Sequence, residues 1–294
     1  GYRVMVDGVI LDDLIEGEGF TLMPVQLGRE YEVAVAADYG YGEDWLVWTD
    51  QIAARPMMPT GEDWSVEVAA FGWIDIRGYM GGPGGNEVTN SDVSNTGEIL
   101  FPDGWEFDFF GNSYNSIGIC SNGWASFSNF TSTTYYGITF PNASEPNNTL
   151  GILARDLNPN YTSPIDGEEF GLWYWADEAT NRVVIQWFTG RYGGGGTDWI
   201  DMELILDFNV NTITYQYRDA TPDYVTYSGA AIGIENADGT EAVTYALADL
   251  ADELAITFYP PNPLGESGVL TGLVTDMNTG EPIEGVMVQA ATTD

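Results

Sequence analysis

Short runs of alternating apolar and polar residues, each interrupted by turn residues, recur along most of this chain and restrict what it can fold into. The stretch FDFFGNSYNSIGICSNGWASF, residues 107–127, alternates, breaks at Gly-Asn, alternates again and breaks at Ser-Asn-Gly. A period of two places successive side chains on opposite faces of a strand, and Asn122-Gly123 is a dipeptide typical of tight hairpins. We therefore predict an all-β chain built of β-sandwiches, with very little helix.

The charge balance is the second constraint. The 294 residues include 45 acidic and 8 basic ones, all eight of them arginine, for a formal net charge of −37. Repulsion from phosphates argues against nucleic-acid partners and anionic membranes, and no window holds the ~18 apolar residues of a spanning helix. Two interpretations of the carboxylates stay open: a solvated, halophilic surface that works in high salt, or sites for divalent cations such as calcium.

Cys120, the single cysteine, is the first candidate for a nucleophile. The chain contains no histidine, so a Cys-His or Ser-His-Asp arrangement is impossible, and a lone cysteine at a strand end is usually a small core residue. Pairs of carboxylates that could hydrolyse glycosides are abundant, but so many acidic residues produce such pairs by chance. We predict that the chain is not an enzyme and has no catalytic residues.

The loop ARDLNPNYTSPIDGEE is the best candidate for a cation site. Asp156, Asn158 and Asn160 follow an i, i+2, i+4 spacing that can direct side-chain oxygens at one centre, and Asp166 and Glu168 come soon after. The loop is not an EF-hand, because the glycine that an EF-hand requires is missing. The alternative to calcium is an Asn/Asp-rich turn whose side chains bond their own backbone. No other cofactor is indicated.

Four Asn-X-Ser/Thr sequons cluster between residues 129 and 162. They begin at Asn129, Asn142, Asn147 and Asn160. A chain rich in Asn, Ser and Thr produces a few sequons by chance, but their clustering indicates a glycosylated face in a secreted protein.

The central segment, residues 55–262, carries five strand-like runs in a distinctive order. They are WEFDFFGNSYNSIGICSNGWASF, PNNTLGILARDLNP, RVVIQWFTGRY, MELILDFNVNTITYQYRD and AAIGIENADGTEAVTY. Together these runs resemble a β-sandwich module that recurs in large secreted and surface proteins of bacteria. The resemblance implies a non-enzymatic architectural module of the cell exterior, often placed beside fibronectin-like domains or proteases.

Both flanks resemble parts of other β-sandwich domains. Residues 1–54, with GYRVMVDGVIL and YEVAVAA, resemble the second half of a fibronectin type III domain. Residues 263–294, with GVLTGLVTDMNTGEPIEGVMV, resemble the start of a carboxypeptidase-regulatory-like domain. The resemblances imply tandem sandwiches, immunoglobulin/fibronectin-like and jelly-roll-like, of which the outer two lack strands. We therefore expect either an excerpt of a longer polypeptide or ends that join copies together.

The expected function follows from these ends. If the C-terminal strands of one copy completed the N-terminal sheet of the next by strand addition, head-to-tail repetition would give an open filament. The interface residues would be Val269, Leu273, Val274, Val286 and Val288. We expect an extracellular structural protein, a subunit or repeat unit of a surface filament, whose partners are other copies of itself. The alternative is an adhesin or glycan-binding accessory module of a larger secreted protein such as a protease.

Overall fold

The computed structural model describes residues 2–6, 8–10, 31–37, 52–54, 63–78, 83–194, 197–220 and 230–261. The chain divides into two compact units, one of Gly1–Thr60 with Leu264–Asp294 and the other of Gly61–Pro263. The described residues form β-strands and one short 3-10 helix, Leu247–Asp249. The all-β prediction is confirmed, whereas the division into three domains at residues 54/55 and 262/263 stays a prediction.

The described part of the first unit is one antiparallel sheet. Its strands are β1 (Tyr2–Val6), β2 (Val9–Ile10), β3 (Tyr31–Ala37) and β4 (Ile52–Ala54), in the order β2-β1-β3-β4. Among the side chains of this sheet that the structure describes, Val4, Ala34 and Ala36 are buried. Within β3, Ala34 and Ala36 are therefore more buried than the alternate positions Val33 and Val35, which are only partly buried.

The larger unit holds the remaining strands. They are β5 (Ser65–Ala69), β6 (Asn86–Thr89), β7 (Ile99–Leu100), β8 (Phe107–Phe109), β9 (Asn112–Tyr114), β10 (Ser116–Cys120), β11 (Trp124–Ser126), β12 (Thr149–Ala154), β13 (Leu157–Asn158), β14 (Gly171–Asp177), β15 (Arg182–Arg191), β16 (Trp199–Asp207), β17 (Thr212–Ala220), β18 (Ala231–Glu235), β19 (Ala242–Tyr245) and β20 (Leu254–Tyr259).

Two large antiparallel sheets organise these strands into a sandwich. The six-stranded sheet has the order β19-β18-β12-β11-β10-β7, and the eight-stranded sheet has the order β5-β20-β17-β16-β15-β14-β6, with β13 added on β15. The hairpin β8–β9 forms a separate pair. The turns predicted near Asn122-Gly123, Asn209–Asn211 and Asp238-Gly239 join β10 to β11, β16 to β17 and β18 to β19.

The inner faces of the two sheets enclose one apolar core. Its largest fully buried side chains include Phe107, Phe109 and Trp187, and each buries enough apolar surface to contribute a few kcal/mol, about 1.5–3 for a phenylalanine. Two tyrosines of β17 also link the sheets: Tyr215 Oη donates to the carbonyl of Gly233 at 3.0 Å, and Tyr217 Oη to that of Ile152 at 2.5 Å. The core therefore fixes how the two sheets pack.

The alternation of apolar and polar residues predicts one buried face for strand β10, but the structure buries every one of its residues. The connection between β11 and β12 covers the outer side of this strand. A Cβ added to Gly118 would lie 2.9 Å from the Phe130 ring and 3.1 Å from the Asn129 carbonyl oxygen. The long connection therefore packs as a layer on the six-stranded sheet, a contact that alternation alone does not reveal.

Candidate functional site

The Ser-Asn-Gly turn after β10 is locked against the end of β12. Asn122 is fully buried; its carbonyl oxygen accepts the N–H of Arg155 and its Oδ1 accepts the N–H of Leu157, both at 3.1 Å. Gly123 has a φ of 72°, and a Cβ there would lie 2.1 Å from the carbonyl oxygen of Leu153. The motifs SNG and LARDL thus hold each other in place, which gives them a structural role.

Cys120 occupies the core position that the sequence predicts. Its side chain is fully buried and belongs to a cluster with Trp124, Ile138 and Ala154. Its carbonyl oxygen accepts the indole N–H of Trp187 at 2.9 Å. Burial raises the pKa of the Cys120 thiol to about 12, so the thiol stays protonated at neutral pH and is a poor nucleophile.

The first three predicted calcium ligands follow β12. Asn158 is buried, and its Oδ1 accepts the N–H of Asn160 at 2.8 Å, which is the backbone-satisfying turn that the sequence left as the alternative. Asn160 itself is exposed. The carboxyl of Asp156 is partly buried, and burial together with the nearby charge of Asp92 raises its pKa.

The other two predicted ligands, Asp166 and Glu168, have different surroundings. Asp166 is exposed, whereas Glu168 Oε2 accepts a hydrogen bond from Arg77 Nη1 at 2.8 Å. Across the ranges that the structure describes, no group of three or more His, Cys, Asp and Glu side chains is placed to hold a metal ion. Calcium at this loop stays a prediction.

The sequon asparagines differ in exposure. Asn160 is exposed, Asn129 and Asn142 are partly buried, and Asn147 is buried. The Nδ2 of Asn129, the atom that a glycan would modify, donates to Glu145 Oε2 at 2.7 Å. Asn160 is therefore the best-placed acceptor, and glycosylation stays a prediction. The predicted strand-exchange residues Val269, Leu273, Val274, Val286 and Val288 lie outside the described residues.

The structure reveals a segment that the sequence analysis missed, residues 71–77, here called the strap. The strap crosses the outer face of the eight-stranded sheet. Gln186, Glu203 and Gln216 are paired directly with one another across β15, β16 and β17. The Oε1 atom of each accepts a backbone N–H of the strap: Gly72 donates to Gln216 (2.6 Å), Ile74 to Glu203 (3.2 Å) and Ile76 to Gln186 (3.3 Å). The sequence does indicate where such a segment could dock, because these acceptors are polar residues inside apolar strand runs.

Buried charges fix the C-terminal end of the strap. Arg77 bonds Asp75 through Nε at 3.2 Å, and its Nη2 lies 3.4 Å from Oδ2 of Asp201. Arg218 pairs with the same Asp201 oxygen. Burial raises the pKa of Asp201 to about 6 although both arginines lower it, and burial raises that of Glu203 well above its usual range. Such a network positions the strap, and within it Oε2 of Glu203 is buried without a hydrogen-bond partner.

A polar cavity of about 260 Å³ lies between the β11–β12 connection and the end of β18. Its walls combine hydroxyl, amide, carboxylate and a few apolar groups. The lining residues are Thr134, Tyr136, Gly137, Ile138, Thr139, Asn142, Ser144, Glu145, Pro146 and Glu235. No local sequence pattern reveals this cavity, because its two carboxylates, Glu145 and Glu235, come from segments far apart in the chain.

Comparisons with known proteins place the chain in a family. A family model described as "NIDO related" matches residues 79–257, more than half of the chain and nearly all of the sandwich. No curated protein and no solved structure matches. NIDO-related domains are typically extracellular, and among the described residues no helix is long and apolar enough to cross a membrane. The resemblances of the two flanks stay predictions. The chain belongs to the NIDO-related family.

Proposed function

We propose that the chain is a non-enzymatic structural module of the cell exterior, a subunit or repeat unit of a filament or appendage that assembles through β-strand edges. One observation supports this proposal most strongly. Among the residues that the structure describes, the three most exposed large aliphatic side chains each lie on the edge strand of a different sheet: Val9 on β2 (65% exposed), Val68 on β5 (67%) and Leu100 on β7 (66%).

Edge strands present unpaired N–H and C=O groups, and proteins that stay monomeric usually protect them with charges, above all lysine, or with proline. This chain contains no lysine, and β2, β5 and β7 contain no proline. An edge that exposes valine or leucine can add a strand and bury that side chain in the same step. The exposed edges are therefore suited to joining copies.

The chemistry of the larger unit supports a structural role as well. Its cysteine is buried with a raised thiol pKa, and the Arg77–Asp201 network holds the strap in place. The family match supports the extracellular location.

Lysine substitutions on the edges test the proposal. Val68→Lys and Leu100→Lys place a charge on exposed edge positions without disturbing the core, so each should weaken self-association. Val93→Lys is the matched control, because Val93 is 42% exposed but lies in a turn rather than on an edge strand. Sedimentation velocity over a range of concentrations at high salt should show polymers for wild type and the control, and smaller species for the edge variants.

Two outcomes would contradict edge assembly: a monomer at every concentration, or equal polymerisation of all variants. A first sheet that is completed entirely by its own chain would contradict strand exchange at that sheet. A monomer would favour the alternative, an adhesin or glycan-binding module. The observation that favours this alternative is the exposure of Tyr135 (48%) and Tyr136 (77%) beside the polar cavity, since exposed aromatic side chains are typical of contact surfaces.

A further inference from the structure

The cavity at the end of β18 contains a buried carboxylate that no positive charge offsets. Glu235 is only 1% exposed and lines the cavity. Its Oε2 accepts the N–H of Asn142 at 2.6 Å, and its Oε1 accepts no hydrogen bond from any residue that the structure describes. Buried carboxylates are nearly always paired with a cation, yet no arginine is among the described residues that line this cavity.

A second carboxylate faces the same space. Glu145 lines the cavity, and its Oε2 is held by Asn129 Nδ2 at 2.7 Å and by the N–H of Asn147 at 3.0 Å. These bonds orient the carboxylate, while its Oε1 has no partner in the described part of the chain. Burial, with the charge of Glu145 adding to it, raises the pKa of Glu235 to about 7. A bound cation would remove this repulsion.

The chemistry of the walls selects the class of cation. Apart from one amide nitrogen, the polar side chains that line the cavity offer only oxygens to a ligand. Besides the two carboxylates, these side chains are Thr134, Tyr136, Thr139, Asn142 and Ser144. Oxygen ligands suit hard cations, and the absence of cysteine and histidine from this lining disfavours zinc. Calcium accepts six to eight oxygens in irregular geometry, including waters, whereas magnesium demands a near-ideal octahedron.

We propose that this cavity is a calcium site in which Glu235 and Glu145 are the protein's carboxylate ligands and waters complete the coordination. The volume of about 260 Å³ leaves room for those waters. The site is distinct from the loop at residues 156–168 that the sequence analysis favoured, and it is independent of assembly through strand edges. It would fasten the β11–β12 connection to β18, the two elements that supply the carboxylates.

Calorimetric titration of the metal-free full chain with calcium chloride, at constant ionic strength, tests this proposal. We expect one saturable site with a Kd of about 10⁻⁴–10⁻³ M, the range of extracellular calcium modules. Glu235→Gln keeps the shape of the side chain and the acceptor for Asn142, so it should fold but lose calcium affinity at least tenfold. Asp166→Asn, an exposed residue of the other loop, is the control and should bind as wild type does.

Glu145→Gln provides a second test, because Glu145 is exposed and its substitution should leave folding intact even if Glu235→Gln does not fold. Glu145→Gln should also weaken calcium binding. In wild type, magnesium at the same concentration should produce little of the heat of binding that calcium produces. The proposal is overturned if wild type shows no saturable binding at millimolar calcium, or if both glutamine variants bind as tightly as wild type. Loss of binding in Asp166→Asn alone would assign calcium to the other loop.

Discussion

At the scale of single residues, buried carboxyls determine how the stability of the fold depends on pH. The pKa values of Asp201 (about 6), Glu235 (about 7) and Glu203 all lie above their usual range, in each case chiefly because of burial. Between the usual and the raised pKa the folded state binds more protons than the unfolded state. The free energy of unfolding therefore falls as the pH rises through this window.

Glu203→Gln tests this account of the buried charges. The amide oxygen can still accept the N–H of Ile74 and the Nε2 of Gln216, as Glu203 Oε1 does, while the buried charge disappears. We expect the free energy of unfolding to fall less in the variant than in wild type when the pH rises from about 5 to about 8. Urea unfolding at both pH values measures this difference. An unchanged loss would mean that Glu203 does not titrate in this window.

At the scale of elements, the strap is held by Arg77, which pairs with Asp75 of the strap and with Asp201 of β16. Arg77→Met would leave Asp75 and Asp201 without a guanidinium that lies within 3.4 Å of both. Removing one partner of a buried ion pair costs about 3–5 kcal/mol. Because Arg218 still pairs with Asp201, we expect a destabilisation towards the lower end of this range. The substitution should also increase cleavage by proteases near residues 71–77.

Arg182→Met is the matched control for the strap. Arg182 pairs with Asp207 at 2.8 Å, but a quarter of its side chain is exposed (26%), and exposed pairs contribute only about 0–1 kcal/mol. Denaturant unfolding of the two variants measures the difference. Equal stabilities would contradict the view that the Arg77 network anchors the strap.

At the scale of the whole molecule, the net charge of −37 makes stability depend on ionic strength. Carboxylates repel one another in the compact state, and salt screens this repulsion over distances beyond the Debye length, about 3 Å at 1 M salt. We expect the melting temperature to rise steadily with sodium chloride concentration, as followed by circular dichroism. Indifference to salt would count against the prediction of a halophilic surface.

Local patterns were sufficient to predict the strands and hairpins, but not the contacts between distant segments. The alternation around Phe107 and Phe109 and the Asn122-Gly123 turn each lie within a few residues, and the structure has both. The strap bond from Gly72 to Gln216 joins residues 144 positions apart, and Asn142 and Glu235 are 93 apart. Such contacts depend on how sheets and connections pack, which a period-two pattern does not specify.

The most direct test of assembly through strand edges is electron microscopy of the negatively stained protein at high salt over a range of concentrations. We predict filaments with a regular repeat that become shorter in Val68→Lys and Leu100→Lys, because these edges expose valine and leucine, where a lysine would block pairing. Isolated particles at every concentration would contradict the proposed function and leave the NIDO-related sandwich as a module that works singly.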